Sequence, residues 1–314
     1  MFFKIPIKKK IQRLVKAIKC FYYFKNPFTL IKFYNGSFIK GKSIRVKPRK
    51  GNIFFVARSG DFWLINKIMN NKKVTVCFDS KKNRNYIIED NIYLRQGTSD
   101  TFIYQEIFID ECYKEAVDQL TKDSIVIDIG AHIGLFSLYC SPKCKRVFAY
   151  EAHPLNYDLL LKNIESRAAE NVNPYNFAVW SFSDKEVQIS NDSKGQTGEY
   201  TINTNNNNNK MFSQKGFQAK TITLKDIFTQ NNLDFCDLLK IDIEGAEYSV
   251  LLSTPDTVFA KINCIYLEYH SDLGNRYTVT DLMYFLKNKN FTIKTNEIKN
   301  SHGLLYAQKN VDKL

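Results

Sequence analysis

The stretch SIVIDIGAHIGLFSLYC, residues 124–140, constrains the fold more than any other part of this 314-residue chain. A run of apolar residues leads into Asp128 and Gly130, Gly134 follows four positions later, and apolar residues then recur at helical spacing. This order predicts a strand, a tight turn and a helix. In an open α/β sheet such a turn lies at the carboxyl end of its strand, where nucleotide-like ligands bind.

The same alternation of strand and helix patterns continues to the end of the chain. Short apolar segments alternate with helical patterns, which predicts βαβ units and a mostly parallel sheet flanked by helices. Seven segments are expected to form the strands of this sheet: SIVIDIG, RVFAYEA, YNFAV, DLLKIDI, NCIYLEYH, FTIKT and LLYAQ.

The residues around the first turn discriminate between two ligands. Glu151 ends the second strand, where a carboxylate can accept hydrogen bonds from both hydroxyls of a ribose. A dinucleotide requires a glycine where this chain has His132, and the Asp128 carboxylate would repel its phosphates. S-adenosylmethionine has a ribose and an amino group but no phosphate, so the pattern favours it. A ligand-free fold, in which Gly130 and Gly134 only allow close packing of helix on strand, is the structural alternative.

Three motifs resemble a known family. VIDIGAHIG, VFAYEAHP and DLLKIDIEGAEYSVL are similar to motifs of the FkbM family of class I S-adenosylmethionine-dependent methyltransferases. The resemblance covers roughly residues 95–270, and its most specific element is KIDIEGAE at 240–247. His132 stands where the family commonly has Asn, and Ala152 where Pro is usual. The resemblance implies a Rossmann-like class I methyltransferase fold with a seven-stranded sheet, and O-methylation, often of sugars or natural products.

The resemblance also implies a binding site for the methyl donor. Its methionine end is expected at the first turn, its ribose at Glu151 and its adenine at the ends of the second and third strands. The implied residues are Asp128, Gly130, Ala131 and Gly134 for the methionine end, and Ala152, His153, Phe177 and Ala178 for the adenine.

Candidate catalytic residues follow the fourth and fifth strands. Asp242, Glu244 and His270 are polar groups at strand ends, where an acceptor would meet the donor. Two carboxylates this close could orient a sugar hydroxyl, bind a divalent cation or share a proton. The alternatives are a helix first-turn acid for Glu244, as for Glu247, and a structural role for His270. Lys240, inside a strand, is interpreted as an ion-pair partner.

The organisation of the chain is predicted in three parts. Residues 1–50 form a basic, aromatic segment with an amphipathic helix at 8–25, and residues 51–122 form an α+β lead-in or lid region. Residues 123–314 form the methyltransferase domain, with a flexible Asn-rich insertion at 190–216. Within the lead-in, a capping Ser99 or Asp100 and the pattern that follows predict one long helix over 99–120.

Charge is concentrated at the beginning of the chain. Residues 1–50 contain fifteen Lys or Arg and no acidic residue, whereas the rest of the chain carries 30 basic and 32 acidic side chains. This distribution argues against a nucleic-acid groove spread over the surface. It fits peripheral contact with an anionic membrane, and the alternative is that the 8–25 helix packs on the body of the protein.

The expected function is that of an S-adenosylmethionine-dependent O-methyltransferase acting on a sugar hydroxyl of a glycan, glycolipid or natural product. The alternatives are a nucleic-acid methyltransferase, which lacks support from any NPPY-type or Pro-Cys motif, and a non-catalytic S-adenosylmethionine-binding protein. Seven cysteines without a CxxC pair indicate a reducing, cytoplasmic compartment.

Overall fold

The computed structural model describes residues 15, 17–34, 44–50, 53–56, 62–70, 72, 74–191, 200–203, 216–270, 276–294 and 302–310. The chain divides into two compact units, Met1–Ile109 and Asp110–Leu314. The division falls within the segment 51–122 that the sequence assigns to the lead-in. The role of that segment as a lid stays a prediction.

The first unit contains short helices and antiparallel strands. Its elements are α1 (Pro27–Tyr34), β1 (Ile44–Val46), β2 (Phe54–Val56), α2 (Phe62–Met69), β3 (Thr75–Asp79), β4 (Arg84–Glu89), β5 (Ile92–Arg95) and α3 (Asp100–Tyr104). β1 pairs with β2, and β3, β4 and β5 form a three-stranded sheet. Asp90 and Asn91 join β4 to β5 with positive φ angles of 47° and 60°, as a tight hairpin turn requires. The segment DFWLINKIM forms α2, VTVCFD forms β3, and NYIIEDNIYLRQ contains most of β4 and all of β5.

The long helix predicted over 99–120 is wrong. α3 continues only as a π-helical turn at Gln105–Ile109, Glu111 has a left-handed φ of 52°, and a separate one-turn helix, α4, occupies Lys114–Val117. The run of β-branched and aromatic residues before the break has low helix propensity. Asp100 does not simply cap α3: its fully buried carboxylate accepts hydrogen bonds from the Arg95 guanidinium at 2.8 and 2.9 Å, so it ties the helix to β5.

The helix predicted at 8–25 lies partly outside the described residues, which include helical residues 17–23. Cys20 and Phe24 are buried, whereas Ile18 and Tyr22, on the predicted apolar face, are 60% and 71% exposed. The apolar face is therefore open on this part of the helix. In the described part of the chain, no helix combines the length and apolarity that a bilayer crossing needs.

The second unit is built on a seven-stranded sheet. Its strands are β6 (Ile125–Ile129), β7 (Arg146–Tyr150), β8 (Val172–Tyr175), β13 (Cys236–Ile241), β14 (Ile262–His270), β15 (Phe291–Lys294) and β16 (His302–Lys309). The order is β15-β16-β14-β13-β6-β7-β8, and every pair is parallel except the two made by β16. The predicted seven-stranded, mostly parallel sheet is confirmed. The chain runs outward in opposite directions from β6 and β13, so their carboxyl ends form the switch point where α/β sheets bind ligands.

Helices cover this sheet and fix its core. They are α5 (Leu135–Cys140), α6 (Pro154–Arg167), α7 (Leu224–Gln230), α8 (Glu247–Ser253), α9 (Asp256–Phe259) and α10 (Val279–Asn288). Ile127, Leu239 and Ile265, on three neighbouring strands, are fully buried. Such continuous apolar strands are typical of a parallel sheet covered on both faces.

The third strand differs from its prediction. The sequence placed it at YNFAV, but β8 ends at Tyr175, and β9 (Ala178–Val179) belongs to a second sheet with β10 (Glu186–Asn191), β11 (Tyr200–Asn203) and β12 (Gly216–Ile222). The side chain of Asn176 donates to the carbonyl groups of Glu151 and Ala152 at 2.7 and 3.1 Å, which turns the chain away from the large sheet. β10 and β12 pair antiparallel and flank the Asn-rich segment, whose Asn run lies outside the described residues.

Candidate functional site

The turn after β6 has glycine at two positions. Gly130 has a φ of 78°, and a Cβ there would lie 1.8 Å from the carbonyl oxygen of Asp242. Gly134 has a φ of 88°, and a Cβ there would lie 2.4 Å from Leu160 Cδ1. Gly130 is thus needed for close packing against the end of β13, independently of any ligand, whereas at Gly134 the positive φ favours glycine and the end of the Leu160 side chain can move aside. The contact of both glycines with a methyl donor stays a prediction.

A buried ion pair between Asp128 and Lys240 lies next to this turn. The Asp128 carboxylate is fully buried, accepts a hydrogen bond from Ser137 Oγ at 2.6 Å and lies 3.2 Å from Lys240 Nζ. Lys240 also donates to the Gly130 carbonyl at 2.9 Å, so β6 and β13 are tied together at their ends. Burial alone would lower the pKa of Lys240, but Asp128 and Asp242 outweigh it and raise that pKa. Lys240 is an ion-pair partner, as the sequence suggested.

Glu151 joins the first turn to the second. Its Oε2 accepts from the backbone N–H of His132 at 2.8 Å, and its Oε1 accepts from the N–H of His153 at 2.9 Å and from Asn156 Nδ2 at 3.2 Å. Burial raises the pKa of Glu151 to about 7, although these three donors act to lower it. The carboxylate is therefore fixed at the carboxyl end of β7, where the ribose is predicted.

The residues predicted to border an adenine lie near Glu151. Asn176 holds the backbone of Glu151 and Ala152, and so brings the start of the β8–β9 connection beside the end of β7. The connection continues with Phe177, which is half-buried, and β9 begins at Ala178, which is buried. The His153 ring lies 4.4 Å from the ring of Phe217 on β12. The structure thus brings these residues together, with Phe217 as a neighbour that the sequence did not indicate.

The three candidate catalytic residues also converge. Asp242 and Glu244 lie on the turn after β13, and His270 ends the neighbouring β14. His270 Nε2 lies 3.3 Å from Glu244 Oε2 and 3.9 Å from Glu268 Oε1, and Asp242, Glu244 and His270 each offer a ligand atom within 4.8 Å of the others. Glu244 precedes α8 and has a left-handed φ of 54°, so it is not a first-turn helix acid.

Glu247 organises this group, a role that the sequence did not indicate. It is the first residue of α8, as expected, and its carboxylate is fully buried. Its Oε1 accepts from the Ile243 N–H at 3.1 Å and lies 3.0 Å from His270 Nδ1, and its Oε2 accepts from the Gly245 N–H at 2.8 Å. The loop and the imidazole are therefore held by one carboxylate.

The carboxylates around His270 shift the pKa values of His270 and Glu244. Burial raises the pKa of Glu244 to about 8; His270 opposes this shift, and Asp242 and Glu268 add to it. Burial acts to lower the pKa of His270, but its hydrogen bond to Glu247 and the neighbouring carboxylates raise that pKa to about 9. Burial raises the pKa of the Tyr113 phenol, and the carboxylates of Asp242 and Glu268 add to this shift.

The glycine turn, residues 130–134, adjoins the group of Asp242, Glu244 and His270, which is called the acidic group here. Gly130 closely approaches the Asp242 carbonyl, and the Asp242 N–H donates to the Ile129 carbonyl at 3.1 Å. A ligand that bound at the turn after β6 would therefore lie beside the carboxylates that follow β13. This is the arrangement that transfer between two bound molecules needs.

Comparison with known proteins matches the part of the chain that carries these residues to a family. Residues 128–293, more than half of the chain, match the methyltransferase FkbM domain. AMB antimetabolite synthetase AmbE of Pseudomonas aeruginosa is 28% identical over 207 residues, which are 54% of this chain and 9% of that protein. The 31-O-demethyl-FK506 methyltransferase FkbM of Streptomyces tacrolimicus is 25% identical, over 61% of this chain and 82% of that protein. Hexuronic acid methyltransferase AglP of Haloferax volcanii is 24% identical, over 53% of this chain and 64% of that protein.

The family match spans both halves of the site. It begins at Asp128, on the strand that enters the glycine turn, and includes the acidic group and the strands that carry it. The sheet order, the turn after β6 and the matched residues agree with the resemblance seen in the sequence motifs. The chain therefore belongs to the FkbM methyltransferase family of S-adenosylmethionine-dependent enzymes.

Proposed function

We propose that this chain is an O-methyltransferase whose acceptor is a sugar hydroxyl of a glycan, glycolipid or natural product. The observation that carries the proposal is the acidic group of Asp242, Glu244 and His270 beside the glycine turn. Carboxylates at this place can accept hydrogen bonds from hydroxyl groups. The name of AglP, a hexuronic acid methyltransferase, supports a sugar acceptor, and that of FkbM, a 31-O-demethyl-FK506 methyltransferase, supports an oxygen acceptor.

The residues have distinct roles in this proposal. When bound, S-adenosylmethionine supplies a methyl group already activated by its sulfonium sulfur, and transfer to a hydroxyl gives a methyl ether, S-adenosylhomocysteine and a proton. The turn residues and Glu151 hold the donor. Asp242 and Glu244 orient the acceptor hydroxyl, one of these two carboxylates receives its proton, and Glu247 positions His270. The largest contribution of the protein is alignment of the two reactants.

The acceptor class is tested directly. Full-length protein is incubated with S-adenosylmethionine and, separately, hexuronic acid-containing oligosaccharides, neutral oligosaccharides and an RNA or DNA oligomer. Methylation of a saccharide, detected by mass spectrometry, is the expected result. Methylation of the nucleic acid alone would favour a nucleic-acid methyltransferase instead, and donor binding without product on any of these acceptors would favour a non-catalytic protein.

Asp242→Asn and Glu244→Gln are expected to lower kcat by up to about 100-fold, because a misplaced acceptor loses its alignment with the methyl group. Donor affinity should change little, since Glu151 is separate from this group. Glu165→Gln, an exposed acid on α6, is the control and should keep the parental kcat. Full activity in both site variants would place the acceptor elsewhere.

Glu151 is expected to make donor binding pH-dependent. Ribose hydroxyls donate to the ionised carboxylate, so binding favours the form that exists above its pKa of about 7. The affinity for S-adenosylhomocysteine should therefore fall about tenfold between pH 8 and pH 6. Glu151→Gln should bind about ten- to a hundredfold more weakly at pH 8 and lose this dependence. Calorimetry at both pH values checks both statements; a pH-independent parent would place the ribose away from Glu151.

We also propose that residues 1–50 contact an anionic membrane surface. Their fifteen basic and no acidic side chains give the charge complementarity. The helix at 17–23 and α1 present Ile18, Tyr22 and Phe28 at 60%, 71% and 70% exposure, and such side chains suit the bilayer interface. A membrane-bound enzyme of this kind could act on a lipid-linked glycan.

The double variant Ile18→Ser/Phe28→Ser is expected to reduce binding to phosphatidylserine vesicles about tenfold, because it removes two apolar contacts with the interface. Vesicle co-sedimentation at low and high salt measures the effect. Phe78→Ser, which changes an equally exposed residue on β3, is the control and should bind like the parent. A parent that stays in the supernatant with phosphatidylserine vesicles at low salt would contradict the membrane proposal.

A further inference from the structure

Asp242, Glu244 and His270 offer three metal-ligating atoms from two neighbouring strand ends. These atoms all lie within 4.8 Å of one another. The side chains of Asp242, Glu244 and His270 are 30%, 29% and 18% exposed, so the group is open on one side and enclosed on the other. Two carboxylates and one imidazole on one face of a site form a common donor set for a divalent cation.

The surroundings of His270 point independently to a metal. A histidine that ligates a metal almost always donates its other ring N–H to a carboxylate, a backbone carbonyl or water, which fixes the tautomer and the ring orientation. Here the fully buried Glu247 carboxylate lies 3.0 Å from Nδ1, and two backbone N–H groups hold that carboxylate in place. Nδ1 is thus assigned as the donor, and Nε2 is directed at Glu244.

The spacing between His270 and Glu244 suits a small cation. An octahedral ion with bonds of about 2.1 Å places adjacent ligand atoms about 3.0 Å apart and opposite ones about 4.2 Å apart. Nε2 of His270 and Oε2 of Glu244 are 3.3 Å apart, close to the spacing of adjacent ligands. Oxygen donors favour Mg²⁺ or Mn²⁺, and the imidazole nitrogen favours Mn²⁺ of the two.

The charge balance also favours a cation. Glu268 lies 3.9 Å from His270 Nε2 and adds a third carboxylate at the opening. Lys240 Nζ is 3.7 Å from Asp242 but is closer to the buried Asp128, at 3.2 Å. Its charge is therefore shared with a carboxylate outside the group, and the acids around His270 retain an excess of negative charge.

We propose that Asp242, Glu244 and His270 bind one divalent cation of the Mn²⁺ or Mg²⁺ class. The cation takes the place of the proton on His270 Nε2. Three protein ligands leave three coordination positions, which acceptor oxygens and water can occupy. That last step rests on the proposed sugar acceptor, whereas cation binding does not.

The test uses Mn²⁺ as the probe and the full chain freed of metal by a chelator. The decrease of the free Mn²⁺ signal in electron paramagnetic resonance counts bound ions, and calorimetry gives the affinity, both without donor or acceptor. One ion per chain is expected. Asp242→Asn and His270→Ala should weaken binding at least tenfold, and Glu165→Gln should leave it unchanged.

Two results would overturn the cation site: a parent that binds no Mn²⁺ at millimolar concentration, or a Glu165→Gln variant that loses as much affinity as the site variants. Failure of the proposed function looks different. Mn²⁺ bound at these residues, without methylation of any saccharide, rejects the acceptor and keeps the cation. If saccharide methylation persists in the presence of chelator and the protein binds no Mn²⁺, the result keeps the acceptor and rejects the cation.

Discussion

Lys240→Met is expected to lower the free energy of unfolding of the second unit by about 3–5 kcal/mol, because it leaves the Asp128 carboxylate buried without a cation. Asp128 is fully buried, and the Lys240 side chain is 5% exposed. Met retains most of the length of Lys, so the loss is chiefly one of charge and of the hydrogen bond to the Gly130 carbonyl. Urea unfolding measures the loss, and hydrogen exchange in β6 and β13 shows whether it arises at the two tied strands.

The double variant Asp128→Asn/Lys240→Met separates the ion pair from the other contacts of Lys240. With Asn, no charge is left buried, and Ser137 can still donate to the side-chain oxygen at this position. The double variant should be more stable than the sum of the single effects by about 1–3 kcal/mol, as for residues in direct contact. Strictly additive effects would show that the two charges do not depend on each other.

The strands could be predicted because most of them contain a short apolar run that lies between turns or helical patterns. Parallel strands that are covered on both faces need such runs. The helical patterns between the runs indicate βαβ units. The prediction failed where a local side-chain contact decides the path. Asn176 ends the pairing of β8 through hydrogen bonds to Glu151 and Ala152, and no periodicity indicates this.

The residues of the candidate site could also be predicted only in part. Residues at strand ends, such as Asp242 and His270, could be identified because the carboxyl ends of parallel strands share one edge. Glu247 could not be assigned to His270, since the two are far apart in sequence and meet only because β13 and β14 are neighbours, with Ile241 opposite Leu267. Asp128 forms a buried ion pair with Lys240 on β13, which no periodicity indicates, and its place beside the donor stays a prediction.

Gly130→Ala is expected to destabilise the second unit by about 2–5 kcal/mol and to abolish measurable donor binding. An alanine pays about 1–2 kcal/mol for a left-handed φ, and overpacking adds about 1–3 kcal/mol. The clash is with the Asp242 carbonyl at 1.8 Å, a backbone atom that no rotamer change can remove. Either the turn or the end of β13 must move, and both the donor turn and the acidic group move with it.

Gly97→Ala isolates the conformational part of this effect. Gly97 has nearly the same φ, 79°, but a Cβ there meets nothing within 4 Å. Its variant should lose only about 1–2 kcal/mol, in the first unit, and bind S-adenosylhomocysteine like the parent. Urea unfolding with hydrogen exchange, followed by calorimetry with S-adenosylhomocysteine, compares the two. Equal losses in both variants would mean that the Gly130 turn can yield without disturbing Asp242, and the close approach between β6 and β13 would then not be what requires glycine at this position.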